Sequence, residues 1–293
     1  MTREVPQDEQ GMILINVLMF VAIAAGMVLL LITREEVALD RGLRAREAAR
    51  ALAVARGGEL SAIVGLRRDL EKSPEADYPA EPWGKLSESG APIEGGTFDL
   101  AISDAEGRFN INSVRNGEAA SLILFQTIAA RVGVPDEQID LLIQLVRLQG
   151  PVTDLRPLRL LEIEPAVRER LERILTALPG KTTVNLNSAD QELLTILFND
   201  PLVAQRLVQL RARKGFLDAA DLVDQKATIP FGTSFRSNTF WVRTRVRIGG
   251  TTQQVATLMK RGFDQEGTAQ VVPIERWRNA AVPPDAPPFV EKK

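Results

Sequence analysis

An uninterrupted apolar segment near the N-terminus dominates the hydrophobic pattern of the chain. Residues 12–33 read MILINVLMFVAIAAGMVLLLIT, and no charged residue occurs between Glu9 and Arg34. These 22 residues are enough for an α-helix to cross about 30 Å of hydrocarbon, and lipid offers the backbone no other hydrogen-bond partner. The length and the absence of charge favour a membrane-spanning helix over a buried core helix.

Helical patterning continues beyond this apolar segment. Residues 34–72 contain no proline, are rich in Ala, Leu, Arg and Glu, and place apolar side chains at helical spacing. The pattern predicts one long helix over residues 12–72, embedded in the membrane over 12–33 and amphipathic afterwards. Gly57 and Gly58 are expected to loosen this helix, since each glycine costs about 1 kcal/mol in a helix interior.

The next segment changes from loop to strand character. Residues 73–96 hold four prolines and four glycines, which predicts a loop, with Trp83 attaching it to the core. Residues 97–103 (TFDLAIS) then alternate between apolar and polar with the period of a strand. A turn over 104–107 and a second strand over 108–112 complete a predicted hairpin.

Period-two alternation returns near the C-terminus. Residues 240–248 and 251–261 read as two strands joined at a Gly-Gly turn, and a third runs over 268–277. Pro273 inside the third strand predicts a sheet edge, because proline cannot donate to the ladder. Residues 280–293, rich in proline, are predicted to be disordered. Three arginines occupy alternate positions in the first of these strands and are interpreted as a solvated face: Arg243, Arg245 and Arg247.

Helical segments separate the two groups of strands. Residues 119–132 and 136–148 predict two apolar helices, and a further helix begins near residue 165. Strands begun at residue 97 and completed after residue 238 must pair across this block to form one sheet. The predicted fold class is therefore α+β, with an antiparallel sheet packed on the long N-terminal helix and an inserted all-α domain.

The second half of the insert has the pattern of a helix-hairpin-helix, also called a SAM-like module, over residues 184–224. Ser188 is predicted as the N-cap of its first helix, with Gln191 completing a capping box. DNA-binding versions hold phosphate on free N–H groups of a glycine-rich hairpin. Here the hairpin, residues 198–201, reads FNDP, which has no glycine and carries a negative charge. The pattern favours a packing module despite four nearby cations: Arg206, Arg211, Arg213 and Lys214.

A second candidate site lies around the first predicted turn. Asp104, Glu106, Asn110 and Asn112 all bear oxygen and are close in sequence. Calcium requires six to eight oxygen ligands, and the run lacks an EF-hand pattern. Turn and cap chemistry therefore explains these residues better than a metal site.

Composition narrows the possible functions. The chain of 293 residues has a net charge of −2, 45% hydrophobic residues, no cysteine and no histidine. Ser-His and Cys-His catalysis and thiolate metal sites are excluded, so an enzyme, for example a membrane-bound hydrolase, is not expected. The balance of charge gives no reason to expect a polyanionic partner.

The residues that precede the apolar segment resemble a type IV prepilin-like leader. A glycine, Gly11, stands immediately before Met12, whereas a secretory signal peptide would place its cleavage site after the apolar run. The resemblance implies that a prepilin peptidase cuts between Gly11 and Met12. Most members of that family have Glu at the fifth mature position, here Asn16, and the K-type minor pseudopilin characteristically lacks it. The alternative is an uncleaved signal anchor.

Charges around the span conflict with the topology that this resemblance needs. The leader, residues 1–11, holds one arginine against three carboxylates, whereas four arginines follow the span: Arg34, Arg41, Arg44 and Arg46. The positive-inside rule alone would place the C-terminal part in the cytoplasm. The prepilin interpretation places it in the periplasm.

The whole chain is similar to the K-type minor pseudopilin of the type II secretion system. The similarity spans about residues 11–277 and rests on the leader glycine, the FNIN block at 109–112, the VNLNSA block at 184–189 and the strand over 240–248. It implies a pseudopilin fold, with the sheet formed by residues 73–116 and 226–279 and the helical insert by 117–225.

The resemblance also implies partners and a location. The protein would be anchored in the inner membrane by a single span, with its C-terminal domain in the periplasm, and would assemble with I- and J-type minor pseudopilins at the tip of the pseudopilus. Many members carry an acidic run, sometimes calcium-binding, after the second insert helix; residues 144–150 (QLVRLQG) have no carboxylate, so no metal ligand is assigned. The competing interpretation is a membrane-anchored protein that binds DNA through residues 184–224.

Overall fold

The computed structural model describes residues 7–72 and 75–289, with side chains from Leu14 onward. Its helices are α1 (Gln7–Lys72), α2 (Ala119–Val132), α3 (Asp136–Gln149), α4 (Pro165–Ile174), α5 (Gln191–Phe198), α6 (Pro201–Lys214) and α7 (Ala219–Asp224). Its strands are β1 (Glu88–Ile93), β2 (Gly96–Asp104), β3 (Phe109–Asn110), β4 (Leu175–Thr176), β5 (Val184–Asn185), β6 (Thr233–Ser234), β7 (Thr239–Ile248), β8 (Thr251–Phe263) and β9 (Ala269–Arg278).

Helix α1 is continuous through its two adjacent glycines, which do not loosen it as expected. Gly58 faces the sheet: a Cβ placed on it would lie 2.7 Å from Cζ of Phe98 and 3.1 Å from Cγ2 of Thr244. Gly57 meets nothing within 4 Å. Gly58 thus lets the helix approach the sheet closely, and packing outweighs the weak helix propensity of glycine.

Five antiparallel strands form the sheet, in the order β1-β2-β7-β8-β9. Strand β2 precedes the insert and β7 follows it, yet they pair along their whole length, from Gly96 opposite Ile248 to Asp104 opposite Phe240. The predicted pairing across the insert is therefore confirmed. So is the edge position of Pro273, since β9 pairs only with β8 in this sheet.

Strand β1 was missed and lies in the region predicted to be loop. Gly90 has a φ of 61° and interrupts the register with β2, and its N–H donates to Oδ1 of Asp99 at 2.9 Å. The glycine and proline that suggest a loop are thus accommodated in an irregular edge strand. As predicted, Trp83 attaches this region to the core: it is 1% exposed, and its ring lies edge-on to Phe240 at 5.1 Å.

The predicted hairpin after β2 is wrong. Phe109 and Asn110 leave the main sheet and pair in parallel with Leu175 and Thr176. Residues Ile111–Val114 form a 3₁₀ turn, because the Asn110 side chain accepts a hydrogen bond from the N–H of Asn112 at 3.1 Å and curls the chain.

The segment between β2 and β7 has a hydrophobic core of its own. Side chains from α2 to α7 share one cluster that includes Phe125, Leu142, Leu171, Leu194 and Leu207. The predicted helices over 119–132, over 136–148 and from 165 are found as α2, α3 and α4. The insert also contains the short parallel pairs β3-β4 and β5-β6, so it is mainly helical rather than all-α.

The described part of the C-terminal segment, residues 280–289, packs back onto the sheet through Phe289, contrary to the predicted disorder; residues 290–293 lie outside the described residues. Asp285 pairs with Arg108 at 2.9 Å, and Ala286 is buried. The ring of Phe289 lies 4.6 Å from the Arg243 guanidinium and 4.4 Å from that of Arg245. The arginine row is therefore partly covered rather than fully solvated, because cations and an aromatic ring attract one another.

Candidate functional site: the membrane helix and the junction of sheet and insert

The first third of α1 carries apolar side chains that nothing else in the described structure covers. From Leu14, an 18-residue window has a mean hydropathy of 2.7 and is entirely exposed. Among the described residues, α1 is the helix that is long and apolar enough to cross a membrane. The Thr33 hydroxyl near the end of the span donates to the Leu29 carbonyl at 2.9 Å. This donor therefore has a partner within the helix and needs none from lipid.

The predicted processing residues lie at the start of this helix. Gly11 and Met12 fall within α1, which begins at Gln7, but their side chains lie outside those described. Most of the predicted leader, residues 1–6, also lies outside the described residues. Asn16 is exposed on the helix, like the apolar side chains around it. Cleavage and the role of Asn16 stay predictions.

Ionic contacts fix the C-terminal half of α1 to the sheet. Glu59 pairs with Arg276 at 2.6 Å and accepts a hydrogen bond from the Thr257 hydroxyl at 2.8 Å. Burial alone would raise the pKa of Glu59, but these hydrogen bonds and the charges of Arg276 and Arg56 bring it below its usual value. The charged form is thus stabilised where helix and sheet meet.

Asp104, at the end of β2, is the centre of the junction between sheet and insert. Its Oδ2 accepts hydrogen bonds from Asn185 Nδ2 and Ser237 Oγ, both at 2.7 Å, and from the Ser188 hydroxyl. Burial raises the pKa of Asp104, while these hydrogen bonds act to lower it. The junction therefore depends on polar groups taken out of water and paired with one another.

Ser188 consequently does not have the role predicted from sequence. Because its hydroxyl is bonded to Asp104, the N-cap of α5 is Asp190, whose carboxylate accepts from the N–H of Leu193 at 2.7 Å. The capping box of this module lies at α7 instead, between Asp218 and Asp221.

Glu106 is buried beside Asp104. It is 2% exposed and accepts a hydrogen bond from the N–H of Asn238 at 3.2 Å. Burial, together with the negative charge of Asp104, raises the pKa of Glu106 to about 7. Near neutral pH this carboxyl is therefore partly protonated in the folded protein.

Two related tetrapeptides organise the two halves of the insert. Asn110-Ile111-Asn112-Ser113 and Asn185-Leu186-Asn187-Ser188 each start at the second residue of a short strand. In each, the side-chain oxygen of the first Asn accepts from the N–H of the second, at 3.1 Å and 2.9 Å. Asn112 and Asn187 then bind backbone groups of distant loops, at Val152 and Leu217.

The four oxygen-bearing residues near residue 104 that were considered as metal ligands make hydrogen bonds within the protein. Asp104 and Glu106 serve the junction, whereas Asn110 and Asn112 bind the backbone of the insert, so the structure supports turn and cap chemistry. The calcium implied by the family resemblance does not fit the end of α3 either, because residues 144–150 offer no carboxylate.

The helix-hairpin-helix turn lacks the chemistry of a phosphate site. Asn199 adopts the left-handed conformation with a φ of 52°, and Oδ1 of Asp200 accepts from the N–H groups of Leu202 at 2.8 Å and Val203 at 3.2 Å. A carboxylate thus occupies the helix N-terminus where a phosphate would bind.

Two cations of this module, Arg211 and Lys214, are engaged within the protein. Arg211 is half-buried and donates to the carbonyls of Leu186 and Ala189, both at 2.8 Å. Lys214 is paired with Asp218 and Asp221, both at 2.7 Å. The geometry therefore favours the packing module over a nucleic-acid site.

Comparison with known proteins gives a consistent picture. A family model described as type II secretion system, protein K, matches residues 184–239. The chain is 27% identical to type II secretion system protein K of Pseudomonas aeruginosa, over 88% of this chain and 90% of that protein. A chain of the solved GspK-GspI-GspJ complex from the type 2 secretion system of enterotoxigenic Escherichia coli matches with a TM-score of 0.60 and 18% identity, covering 82% of this chain and 99% of that one.

A long N-terminal helix, apolar in its first third and packed on an antiparallel sheet in its second half, defines a pilin-like subunit with a membrane anchor. A mainly helical insert lies between two adjacent strands of that sheet, β2 and β7. In sequence and in fold, the chain is similar to protein K of the type II secretion system.

Proposed function

We propose that this protein is a minor pseudopilin that supports protein secretion from the tip of a periplasmic pseudopilus. The observation that carries the proposal is the division of α1 into an exposed apolar third and a half packed on the sheet. A subunit of this shape is held in the inner membrane by one end of the helix and presents a folded domain at the other.

Its partners are I- and J-type minor pseudopilins. The related GspK crystallised in complex with GspI and GspJ, which supports an equivalent assembly here. The insert has its own hydrophobic core, so it adds bulk at one end of the sheet without contributing to the helix-sheet core. Such bulk suits a subunit that caps the tip, and its role is structural rather than catalytic.

Maturation is by cleavage between Gly11 and Met12 by prepilin peptidase. Cleavage at this point leaves the apolar segment on the mature protein and places Asn16 fifth. The folded domain then lies in the periplasm, even though the arginines after the span favour the opposite orientation.

The N-terminal mass of the protein, purified from cells with and without prepilin peptidase, tests this function. A chain that begins at Met12 only when the peptidase is present is the expected result. An intact Met1 in both strains would reduce the span to a signal anchor and remove the pseudopilin proposal.

A second measurement fixes the orientation. The chain has no cysteine, so Phe231→Cys, at a side chain 85% exposed, provides a single label site. A membrane-impermeant maleimide should modify it in intact cells to the same extent as after lysis. Labelling only after lysis would place the domain in the cytoplasm. Loss of secretion in cells that lack the protein, and its recovery on complementation, completes the test.

A further inference from the structure

Three carboxylates surround one guanidinium beneath the end of α1. Asp69 comes from the last turns of α1, Asp77 and Glu81 from the segment that follows, and Arg261 from β8. All four residues are buried, and one oxygen from each carboxylate lies within 4.8 Å of the others. No local sequence pattern predicts this cluster.

Arg261 balances only part of this negative charge. Its Nη1 pairs with Oδ2 of Asp69 at 2.8 Å, its Nη2 pairs with Asp77, and its Nε donates to the carbonyl of Ser237 at 3.1 Å. Asp77 accepts a further hydrogen bond, from the N–H of Ser237 at 2.8 Å. With every carboxyl ionised, the cluster would bury two more negative charges than positive ones, which is costly.

One acceptor in the cluster lacks a donor. Oδ1 of Asp69 has no hydrogen-bond partner among the described residues, and this side chain is only 2% exposed. Oε2 of Glu81, by contrast, accepts from the N–H of Tyr78 at 3.0 Å and from Nε1 of Trp83 at 2.8 Å. The cluster therefore has an excess of negative charge, and one of its carboxylate oxygens lacks a hydrogen-bond donor.

We propose that this cluster holds one proton, shared between the carboxyl groups of Asp69 and Glu81. A carboxyl O–H supplies the donor that Oδ1 of Asp69 lacks and removes one of the excess negative charges. The proton thus joins the last turns of α1 to the segment that carries Trp83. Its loss leaves like charges facing each other and loosens that junction.

Electrostatics at the site agree with the geometry. Burial, with added repulsion from Asp69 and Asp77, raises the pKa of Glu81 to about 7. Burial also raises the pKa of Asp69, with Asp77 acting in the same direction and Arg261 opposing it. Tyr78 also lies near the cluster, and burial with the charges of Glu81 and Asp69 raises its pKa as well.

A divalent cation fits the site less well than a proton. Calcium takes six to eight oxygen ligands. Both oxygens of Asp77 already accept hydrogen bonds, from Arg261 and from the N–H of Ser237, and a guanidinium stands inside the cluster.

The indole of Trp83 reports on the site because it donates directly to Glu81. We would incorporate 5-fluorotryptophan into the full chain in detergent micelles and follow its three ¹⁹F signals from about pH 5 to about pH 9. Trp83→Phe assigns the signal. The Trp83 signal should titrate with a midpoint near 7 and lose that titration in Glu81→Gln. Asp69→Asn should shift or remove it, whereas Glu106→Gln, in which a buried glutamate outside the cluster is replaced, should leave it unchanged.

Three results would overturn the proposal. The Trp83 signal does not move with pH, or its titration persists in Glu81→Gln, or calcium added at high pH restores the low-pH signal. The last result would assign the cluster to a cation. The signals of Trp241 and Trp277, which pack against each other in a different cluster, serve as internal controls in every sample.

Discussion

Gly107 lies flat against the backbone of Ser188, where the sheet meets the insert. A Cβ on Gly107 would come within 2.7 Å of the Ser188 carbonyl oxygen and 2.9 Å of its Cβ. The end of a flexible side chain could move away from such a Cβ, but the backbone of Ser188 cannot. The same Ser188 donates its hydroxyl to Asp104.

We therefore expect Gly107→Ala to lower the free energy of unfolding by about 1–3 kcal/mol, the usual cost of overpacking. Thermal unfolding of the full chain in detergent would measure it. Gly250→Ala is the matched control, because a Cβ there meets nothing within 4 Å and its φ is not in the left-handed region. Equal melting temperatures for the two variants would contradict this account of the junction.

The pKa of Glu106 predicts how stability depends on pH. It is raised to about 7 in the folded protein from an ordinary 4.5, so the folded state holds a proton that the unfolded state has released. Stability should therefore fall as pH rises from about 4.5 to about 7, by an amount on the order of 3 kcal/mol for this group. Glu106→Gln should flatten that part of the curve of melting temperature against pH. A slope unchanged by the substitution would show that Glu106 ionises in the folded protein without lowering its stability.

Substitutions of Arg211 and Arg213 can distinguish a structural role of these arginines from nucleic-acid binding. Removing the Arg211 side chain leaves the buried carbonyls of Leu186 and Ala189 without their donor, so Arg211→Ala should cost about 1–3 kcal/mol of stability. Arg213→Ala, at an exposed residue of the same helix, should change stability by less than about 0.5 kcal/mol. Fluorescence anisotropy with duplex DNA should detect no salt-dependent binding by the parent chain. Binding that either substitution weakens would restore the DNA interpretation.

Phe289 should hold the C-terminal segment on the sheet. Phe289→Ala removes its contacts with Arg243 and Arg245, which are worth about 0.5–1 kcal/mol where partly exposed. We expect a small loss of stability and faster proteolysis after residue 281. Phe231→Ala, at an aromatic side chain that is 85% exposed, is the control and should change neither. A tail equally resistant in both variants would mean that the pair between Arg108 and Asp285 suffices.

Local patterns predicted the regular elements. The apolar segment, the alternation in β2, β7 and β8, and the helices α2 and α3 each follow from periodicity within one stretch of chain. The pairing of β2 with β7 also followed, because neither group of strands could complete the sheet alone.

The contacts that could not be predicted from the sequence join residues that lie far apart along the chain. The cluster beneath α1 joins Asp77 to Arg261 across 184 positions, and the tail is held by Arg108, 177 positions before Asp285. Ser188 looked like a helix cap because its local context permits one, but Asp104 binds its hydroxyl instead. A proline-rich segment or a Ser before a helix gives no local sign of such contacts.

Asn16→Glu tests whether this subunit occupies the tip of the pseudopilus. In related pilins, a glutamate at the fifth mature position is understood to pair with the N-terminal amine of a neighbour, and a buried ion pair that loses one partner is costly. A subunit at the tip has no further subunit above it to satisfy, which fits Asn at this position. We therefore expect Asn16→Glu to leave secretion and protein level nearly unchanged.

Ile23→Glu provides the contrast, because it places a charge near the middle of the span, where insertion costs about 2.5–3.5 kcal/mol. We expect it to lower the amount of protein in the membrane and, with it, secretion. Export of a secreted enzyme and the membrane level of each variant can be measured in the same cells. Asn16→Glu could instead abolish secretion while the protein level stays normal. Asn16 itself would then be required for function, and the absence of a glutamate would no longer support a position at the tip.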